Sequence, residues 1–385
     1  MALRKFKGDG IFTGYQMLDE GHVLITDHSG CIVEIVDKVD SGEGIETVKG
    51  ILCPGLINCH CHLELSHLKD YIPEKTGLAD FILTVVNERH FDDSIILAAI
   101  EKAENEMLKN GIVAVGDICN NSLTIPQKLH SRLRYHNFIE LSGFLPAIAK
   151  ARFDKSKIIL ESFQTAFGFQ HSTFAPHAPY SVSPEMFQLI NDFPGNKLIT
   201  IHNQETAAEN ELFNKGQGDL LRVYEKMGID ISFFKPFGKS SLQTWLPYFN
   251  KNQSIILVHN VTISPEDIGF TKLSAHNCEL KIFFCLCPNA NLYISDTLPD
   301  VDLMMQQGVN IVLGTDSLAS NHQLSIWEEI RTVQKNFPQL STATLLQWAT
   351  INGAKALQMD DVLGSFEKGK RPGIVLINEG VERLM

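Results

Sequence analysis

The sequence lacks the features that direct a chain to nucleic acid, to a membrane span or to a disulfide-stabilised scaffold. Its 33 Lys and Arg are outnumbered by 45 Asp and Glu, and the formal net charge of −12 leaves no basic footprint for nucleic acid or an anionic membrane. No run of 18 apolar residues occurs, so no transmembrane helix is predicted. The eight cysteines in 385 residues are too sparse for a disulfide scaffold, and we interpret them as reduced, buried thiols.

What remains is the composition of an ordinary globular protein. Hydrophobic residues make up 44% and charged residues 20% of the chain, which is ample for a large core and consistent with one large domain plus a smaller one. The first ten residues lack the apolar core of a signal peptide. Together with the reduced cysteines, this predicts a cytoplasmic protein that binds neither nucleic acid nor a membrane.

The most informative motif is residues 54–64, PGLINCHCHLE, which places two histidines one residue apart at the end of an apolar run. Side chains two apart on a β-strand point the same way, so His60 and His62 share one face and can reach a single metal ion. By the same parity Cys59 and Cys61 face the opposite side, which argues against a four-ligand Cys/His cage. The site must then be completed by residues from elsewhere in the chain.

Short apolar runs rich in β-branched residues alternate with amphipathic helical stretches, which is the pattern of βα units around a parallel sheet. Eight such runs occur, at residues 55–60, 111–117, 135–142, 172–177, 198–202, 254–259, 281–287 and 309–316. They predict an α/β fold in which residues 53–363 form a closed (β/α)8 TIM barrel. The β-like segments 1–52 and 364–385 are predicted to pair into a small β-sandwich domain. The long stretch 203–253 is predicted to be a lid or a substrate-facing insertion.

Ionisable residues stand at the carboxyl ends of five of the eight predicted strands, where the active site of such a barrel forms. They are His60 and His62 of the first strand, His177 of the fourth, His202 of the fifth, His259 of the sixth and Asp316 of the eighth. A lone histidine at a strand end is commonly a buried, hydrogen-bonded side chain. A set that converges on one rim indicates a functional site instead.

Four of these residues, His60, His62, His202 and Asp316, make a mixed nitrogen and oxygen set that suits one divalent metal, zinc above all, and iron(II) also fits. Such a metal makes water a nucleophile near neutral pH. Glu205 follows His202 by three residues and is expected close to the metal, where a carboxylate can shuttle protons. The alternative for Glu205 is an acid at a helix N-terminus, where the helix dipole favours it.

Three further residues are assigned to the substrate or to supporting contacts. His259 is either a fifth metal ligand or a group that orients the attacking water. His177 is better placed to contact the substrate. Glu64 either binds the substrate or is the hydrogen-bonding partner of a ligand histidine.

Six short motifs follow one another in order along nearly the whole chain. They are residues 54–62 (PGLINCHCH), 177–183 (HAPYSVS), 202–205 (HNQE), 258–261 (VHNV), 287–291 (CPNAN) and 314–321 (GTDSLASN). Each motif alone is weak, but the ordered combination resembles the amidohydrolase superfamily. The closer resemblance is to its mononuclear aminohydrolase branch, which includes cytosine, S-adenosylhomocysteine and aminofutalosine deaminases and the triazine chlorohydrolases.

The resemblance implies that the four residues of the mixed set bind one divalent metal and that Glu205 is the proton shuttle. His259 would polarise or orient the attacking water. Asp316, besides binding the metal, would take a proton from that water. Dinuclear members of the family bridge two metals with a lysine from strand four, whereas strand four here ends in His177, which favours a single metal. Residues 369–373 (GKRPG) depart from the Gly-Lys-x-Ala-Asp usual in the family's β-sandwich. A homodimer is expected only by analogy with the family.

The same resemblance implies hydrolytic deamination of an aminated heteroaromatic ring. The small-molecule substrate it favours is an adenine-type nucleoside: aminofutalosine, methylthioadenosine, adenosylhomocysteine or adenosine. Residues 62–66 (HLELS) and 76–81 (TGLADF) are similar to aminofutalosine deaminase-like members. Asp80 is interpreted as a ribose ligand, or else as a solvated acid at a helix start. A carboxylate-bearing substrate would need a cation, for which Lys150 or Arg152 is available unless these side chains are simply solvated.

Two kinds of alternative function remain open, and a further one is rejected. A triazine-type chlorohydrolase, or a deaminase of guanine, cytosine or a pterin, would use the same metal set. A non-catalytic scaffold on a decayed barrel would be expected to have lost metal ligands, and here all are present. A zinc deaminase of the His-x-Glu and Pro-Cys-x-x-Cys type is rejected, because residues 62–64 supply only the first half of its signature.

Overall fold

Seventeen β-strands and fourteen α-helices lie within residues 3–385, the part of the chain that this computed structural model describes. The strands are β1 Leu3–Lys7, β2 Gly10–Phe12, β3 Met17–Leu18, β4 His22–Asp27, β5 Ile32–Asp37, β6 Ile45–Thr47, β7 Ile51–Pro54, β8 Leu56–Cys61, β9 Ile112–Cys119, β10 Arg134–Leu141, β11 Ser172–Pro176, β12 Leu198–Asn203, β13 Ser254–His259, β14 Lys281–Leu286, β15 Asn310–Leu313, β16 Ile374–Ile377 and β17 Val381–Arg383.

Helices separate the central strands, as the predicted βα alternation requires. They are α1 Leu78–Glu88, α2 Asp93–Lys109, α3 Ile125–Lys128, α4 Ala149–Phe167, α5 Pro184–Asp192, α6 Ala207–Lys215, α7 Leu220–Lys226, α8 Ser241–Trp245, α9 Pro265–Cys278, α10 Pro288–Ser295, α11 Val301–Gln306, α12 Ile326–Asn336, α13 Thr342–Gln347 and α14 Gly353–Ala356. A 3₁₀ helix, Leu63–Leu68, follows β8. None of the helices within residues 3–385 combines the length and apolar character that a bilayer crossing needs.

Strands β8 to β15 form two parallel four-stranded sheets, in the orders β8-β9-β10-β11 and β12-β13-β14-β15. Each of the eight predicted apolar runs overlaps one of these strands. Nearly all residues of the strands are buried, as expected of parallel sheets with both faces covered. Apolar side chains of these strands and helices make up the largest hydrophobic cluster.

The two parallel sheets approach each other on both sides. On one side the amide of His202 in β12 donates to the carbonyl oxygen of His177, just after β11, at 3.0 Å. On the other side the amide of Asp316, just after β15, donates to the carbonyl oxygen of His60 in β8, at 3.0 Å. Gly314 permits this close approach, because a Cβ there would lie 2.8 Å from the His60 Cβ. The carboxyl ends of β8, β12 and β15 are thereby brought together.

The N-terminal segment forms the sheet β5-β4-β1-β6, and both ends of the chain contribute to the sheet β17-β16-β7-β2-β3. Buried apolar residues of both sheets, including Phe6, Leu24, Leu52 and Leu376, form one cluster. The pairing of β7 with β16 joins the N- and C-terminal segments, as the sequence predicts. Strand β7 crosses the predicted boundary between residues 52 and 53, and the division into two domains stays a prediction.

A buried ion pair holds the segment that follows β8. The Lys128 Nζ lies 2.5 Å from the Asp117 Oδ2, and neither side chain is exposed. Lys128 also donates to the Asn137 Oδ1 at 2.7 Å. The other Asp117 oxygen accepts from the Leu63 amide at 2.8 Å, directly after the predicted metal ligands of β8. The ion pair therefore connects α3 and β9 to the rim where the site is predicted.

Replacing Lys128 by Met is expected to lower the free energy of unfolding by about 3–5 kcal/mol, because the Asp117 charge would stay buried without a counter-ion. Denaturant unfolding followed by circular dichroism measures the change. The double variant Lys128→Met with Asp117→Asn should recover most of the loss, since no charge is then left unpaired. A single variant as stable as the parent protein would contradict this role of the pair.

Candidate active site and metal centre

Four predicted donors converge on one point at the carboxyl ends of β8, β12 and β15. The His62 Nε2 lies 3.1 Å from the His60 Nε2 and 3.3 Å from the His202 Nε2. The Asp316 Oδ1 lies 3.5 Å from the His60 Nε2 and 3.3 Å from the His62 Nε2. All four residues are buried, and their ligand atoms lie within 4.8 Å of one another. The chain thus brings together residues that are up to 256 positions apart in the sequence.

The geometry of this set fits a divalent metal. Tetrahedral ligands at about 2.0–2.1 Å from a shared ion would stand about 3.3–3.4 Å apart, close to the separations among these donors. The His202 Nδ1 lies 2.7 Å from the His177 carbonyl oxygen and donates to it, so the Nε2 of His202 presents a lone pair to the other donors. Burial lowers the pKa of His60 well below its usual value, and the neighbouring His202 and His177 lower it further. A neutral imidazole is the form that binds a metal.

Local backbone geometry explains how each donor reaches the centre. His60 and His62 lie two residues apart at the end of β8, and the strand parity predicted for them places both on the same side. Cys59, on the other side, points its Sγ towards the carbonyl oxygen of Gly353. Asp316 has a φ of 56°, an unfavourable value for a residue with a side chain, and such values cluster at functional sites.

Glu205 and His259 stand beside the four donors. The His259 Nε2 lies 3.7 Å from the Glu205 Oε1, and both side chains are buried. Burial raises the pKa of Glu205 well above its usual range, and the carboxylates of Asp316 and Glu209 raise it further. Burial also lowers the pKa of His259 to about 3, and the Asn291 amide donates to its Nδ1 at 3.0 Å. This places a carboxyl group able to hold a proton next to a neutral imidazole.

A cavity of about 330 Å³ opens beside these groups, a size suited to a small organic ligand. Its polar end is lined by His62, His177, His202, Glu205, His259 and Asp316. The rest is mostly apolar, with side chains from α1, α7 and the loops around them, among them Leu78, Phe81, Ile82, Val223, Tyr224 and Ile229. Three of these apolar residues belong to the stretch 203–253, which therefore faces the cavity as predicted.

His177 and Arg152, predicted to contact the substrate, both line the cavity. The His177 Nδ1 lies 2.7 Å from the Ser181 Oγ, and burial lowers the pKa of His177 to about 4. The Arg152 Nη1 donates to the carbonyl and hydroxyl oxygens of Ser142, each at 3.2 Å. Lys150, the alternative cation, forms an exposed ion pair with Asp154. Arg152 is therefore the one of the two cations placed to meet a ligand.

Of the two interpretations of Asp80, the structure favours the solvated acid at a helix start. Leu78, Phe81 and Ile82 of α1 line the cavity because helix positions three and four apart share a face. Asp80 lies off that face, its side chain is 50% exposed, and it pairs with Arg222. A ribose contact by Asp80 is therefore inconsistent with the structure, and the residue is a surface acid.

Glu64 also has partners that the sequence does not predict. Its carboxylate lies 2.9 Å from the Arg89 Nη2 and accepts from the Asn120 amide at 2.9 Å. Burial raises the pKa of Glu64 to about 7, while Arg89 acts in the opposite direction. Arg89 and Asn120 line the cavity, whereas Glu64 lies behind them. Its contacts match neither the predicted substrate contact nor the predicted partnership with a ligand histidine.

Sequence reasoning missed a third cavity carboxylate, Glu140 near the end of β10. Its Oε2 accepts from the Asn120 Nδ2 at 2.9 Å. Burial raises the pKa of Glu140 above its usual value. The sequence could have identified Glu140, because it is an acid near the carboxyl end of the third predicted strand. The other site residues were identified by their places at the carboxyl ends of their strands.

Comparison with known proteins identifies the family. The Amidohydrolase family profile matches residues 51–383, and the chain belongs to this family. The 5-methylthioadenosine/S-adenosylhomocysteine deaminase of Saccharophagus degradans is 28% identical over 381 residues, which are 93% of this chain and 79% of the relative. The protein of the same name from Thermoanaerobacter pseudethanolicus is 30% identical over 369 residues, with coverage of 90% and 78%.

A solved structure shows the same fold. The crystal structure of Helicobacter pylori aminofutalosine deaminase with methylthio-coformycin superposes with a TM-score of 0.83 at 22% identity, and the match covers 98% of this chain and 93% of that one. The likeness, together with the family, confirms a TIM-barrel-type α/β fold. The predicted membership of the amidohydrolases is also confirmed.

Proposed function

We propose that this protein is a metal-dependent hydrolytic deaminase that releases ammonia from an adenine-type nucleoside. The observation that carries the proposal is the buried set of His60, His62, His202 and Asp316, with Glu205 beside it at the polar end of a cavity. The names of the relatives from two bacteria point to the same substrate class.

The proposed roles follow from the positions of the side chains. His60, His62, His202 and Asp316 would hold one divalent ion, and zinc suits this mixture of imidazole and carboxylate ligands. When bound, such an ion supplies the acidity that makes water a nucleophile near neutral pH. The hydrogen bond from the His202 Nδ1 to the His177 carbonyl keeps the imidazole in the tautomer that can serve as a ligand.

The chain's own groups would manage the protons. In the proposed reaction water adds to the ring carbon that bears the amine, and the carbon–nitrogen bond then breaks to release ammonia. Glu205 takes one proton from the water and delivers it to the adjacent ring nitrogen, which its raised pKa favours. The second water proton, on the newly added hydroxyl group, passes to the amine as it leaves. His259, neutral and 3.7 Å from Glu205, orients the water, and His177 contacts the ring.

Two architectural features belong to the proposal. We infer that the two parallel sheets close into one barrel, which the hydrogen bonds from His202 to His177 and from Asp316 to His60 support. We infer also that the terminal sheets form a β-sandwich around the cluster that includes Phe6 and Leu376. The closed barrel matters for function, because it brings side chains from β8 and β15 to the same rim.

Ammonia release tests the proposed function. Zinc-loaded protein is incubated with adenosine, methylthioadenosine, adenosylhomocysteine, aminodeoxyfutalosine, guanine, cytosine and pterins, and ammonia is measured by a coupled assay. We expect the highest kcat/KM with an adenine-type nucleoside. Halide release from chlorotriazines without ammonia from any amine would instead identify a chlorohydrolase. A gently purified protein that contains no metal and turns over no substrate would favour a scaffold.

A further inference from the structure

A cavity carboxylate outside the proposed machinery has an unused oxygen. Glu140 lines the cavity from β10, on the side of the donor set next to His177. Its Oε2 accepts from Asn120, whereas its Oε1 is buried and has no hydrogen-bond partner among the described residues. A buried carboxylate oxygen without a partner is costly, so a partner supplied by a ligand would be favoured.

Neighbouring residues hold Glu140 in this orientation. The Asn120 side-chain amide donates to the Glu140 Oε2, and the Asn120 backbone amide donates to the Glu64 Oε2, each at 2.9 Å. Glu64 is held in turn by Arg89. The row Arg89–Glu64–Asn120–Glu140 ties the Glu140 Oε2 to Asn120 and leaves the Oε1 as the oxygen available to a new partner. Supported groups of this kind are suited to recognise a specific atom of a ligand.

The chemistry of the proposed substrate limits which of its groups can form a hydrogen bond with Glu140. An ionised carboxylate only accepts hydrogen bonds, so its partner must carry an O–H or N–H group. In an adenine-type nucleoside the ring nitrogens carry no N–H once the sugar is attached. The amine must lie at the reacting centre beside Glu205. In adenosine, the simplest member of the class, the remaining donors are the hydroxyl groups of the sugar.

We propose that Glu140 is a specificity-determining residue that accepts a hydrogen bond from a sugar hydroxyl of the substrate. This inference rests on the proposed function and adds a recognition group to it. It gives the ribose contact, which the sequence places at Asp80, to a carboxylate that does line the cavity.

The variant Glu140→Gln tests the inference with little change in shape. While Asn120 keeps its Nδ2 turned towards this side chain, the glutamine places its carbonyl oxygen on Asn120 and its NH₂ group where the Glu140 Oε1 lies. An acceptor is thereby replaced by a donor. We expect kcat/KM for adenosine to fall about 10- to 100-fold, chiefly through KM, because a buried charged hydrogen bond is lost.

Matched substrates separate recognition from a merely structural role. Adenosine is compared with 2′-deoxyadenosine and 3′-deoxyadenosine in the parent enzyme and in Glu140→Gln. We expect the parent enzyme to prefer adenosine over at least one deoxynucleoside, and the variant to lose that preference. Equal losses for all three substrates, or a parent enzyme indifferent to both hydroxyls, would overturn the inference while leaving the deaminase proposal intact. An absence of ammonia from every nucleoside would overturn both.

Discussion

The variant Glu205→Gln is expected to lose about 10²- to 10⁴-fold in kcat while keeping its metal, because it removes proton transfer and leaves the ligands untouched. Glu205 lies beside the donor set without belonging to it, 3.7 Å from His259. Glutamine occupies nearly the same volume but cannot take up and release a proton near neutral pH. Ammonia release measures the rate, and inductively coupled plasma mass spectrometry measures the metal content of the same sample.

The buried glutamate Glu104 offers a matched control for this substitution. It accepts hydrogen bonds from Gln127, Arg132 and Tyr135 and does not line the cavity. Folded Glu104→Gln protein should therefore turn over substrate at the parent rate, even if its stability is lower. Parental activity in Glu205→Gln would remove Glu205 from the mechanism and leave proton transfer to another group.

Local sequence patterns were sufficient to locate the strands and the predicted metal donors. Alternation of β-branched runs with helical stretches depends on the side-chain periods of 2.0 and 3.6, which are properties of neighbouring residues. The same parity places His60 and His62 together without any knowledge of the fold. His202 and Asp316 followed because parallel βα units bring their strand ends to one rim, so chain order alone predicts the neighbourhood.

Contacts between side chains that are distant in the sequence could not be predicted from such local patterns. Asp80 stands 142 positions from Arg222, and its assignment to ribose depended on a short motif rather than on which face of α1 it occupies. Glu64 pairs with Arg89, 25 positions further along the chain, and no periodicity specifies this contact. Glu140 was not predicted, because it lies inside the third predicted strand, residues 135–142, and not at its last residue. Substrate-contacting groups are thus harder to predict than metal donors.

The variant His62→Ala is expected to lose the metal and, with it, nearly all turnover. The His62 Nε2 is the donor with the most close neighbours, at 3.1 Å from His60 and 3.3 Å from both His202 and Asp316, so its loss opens the centre of the set. Changes to the groups that merely support a ligand already cost about 10- to 100-fold in affinity or activity, and removal of a ligand should cost more. Metal content after dialysis and ammonia release are the two measurements.

The variant His177→Ala separates ligand loss from a general disturbance of the cavity. His177 lines the same cavity and its ring packs against that of His202, but its hydrogen bond to the donor set is made by its backbone carbonyl, which survives the substitution. We therefore expect His177→Ala to retain one equivalent of metal and to raise KM, whereas His62→Ala should be metal-poor and partly restored by excess zinc. Because both changes remove one buried imidazole, equal metal loss in the two would point to collapse of the rim rather than to ligation by His62. A fully metallated, fully active His62→Ala protein would contradict the proposed metal centre itself.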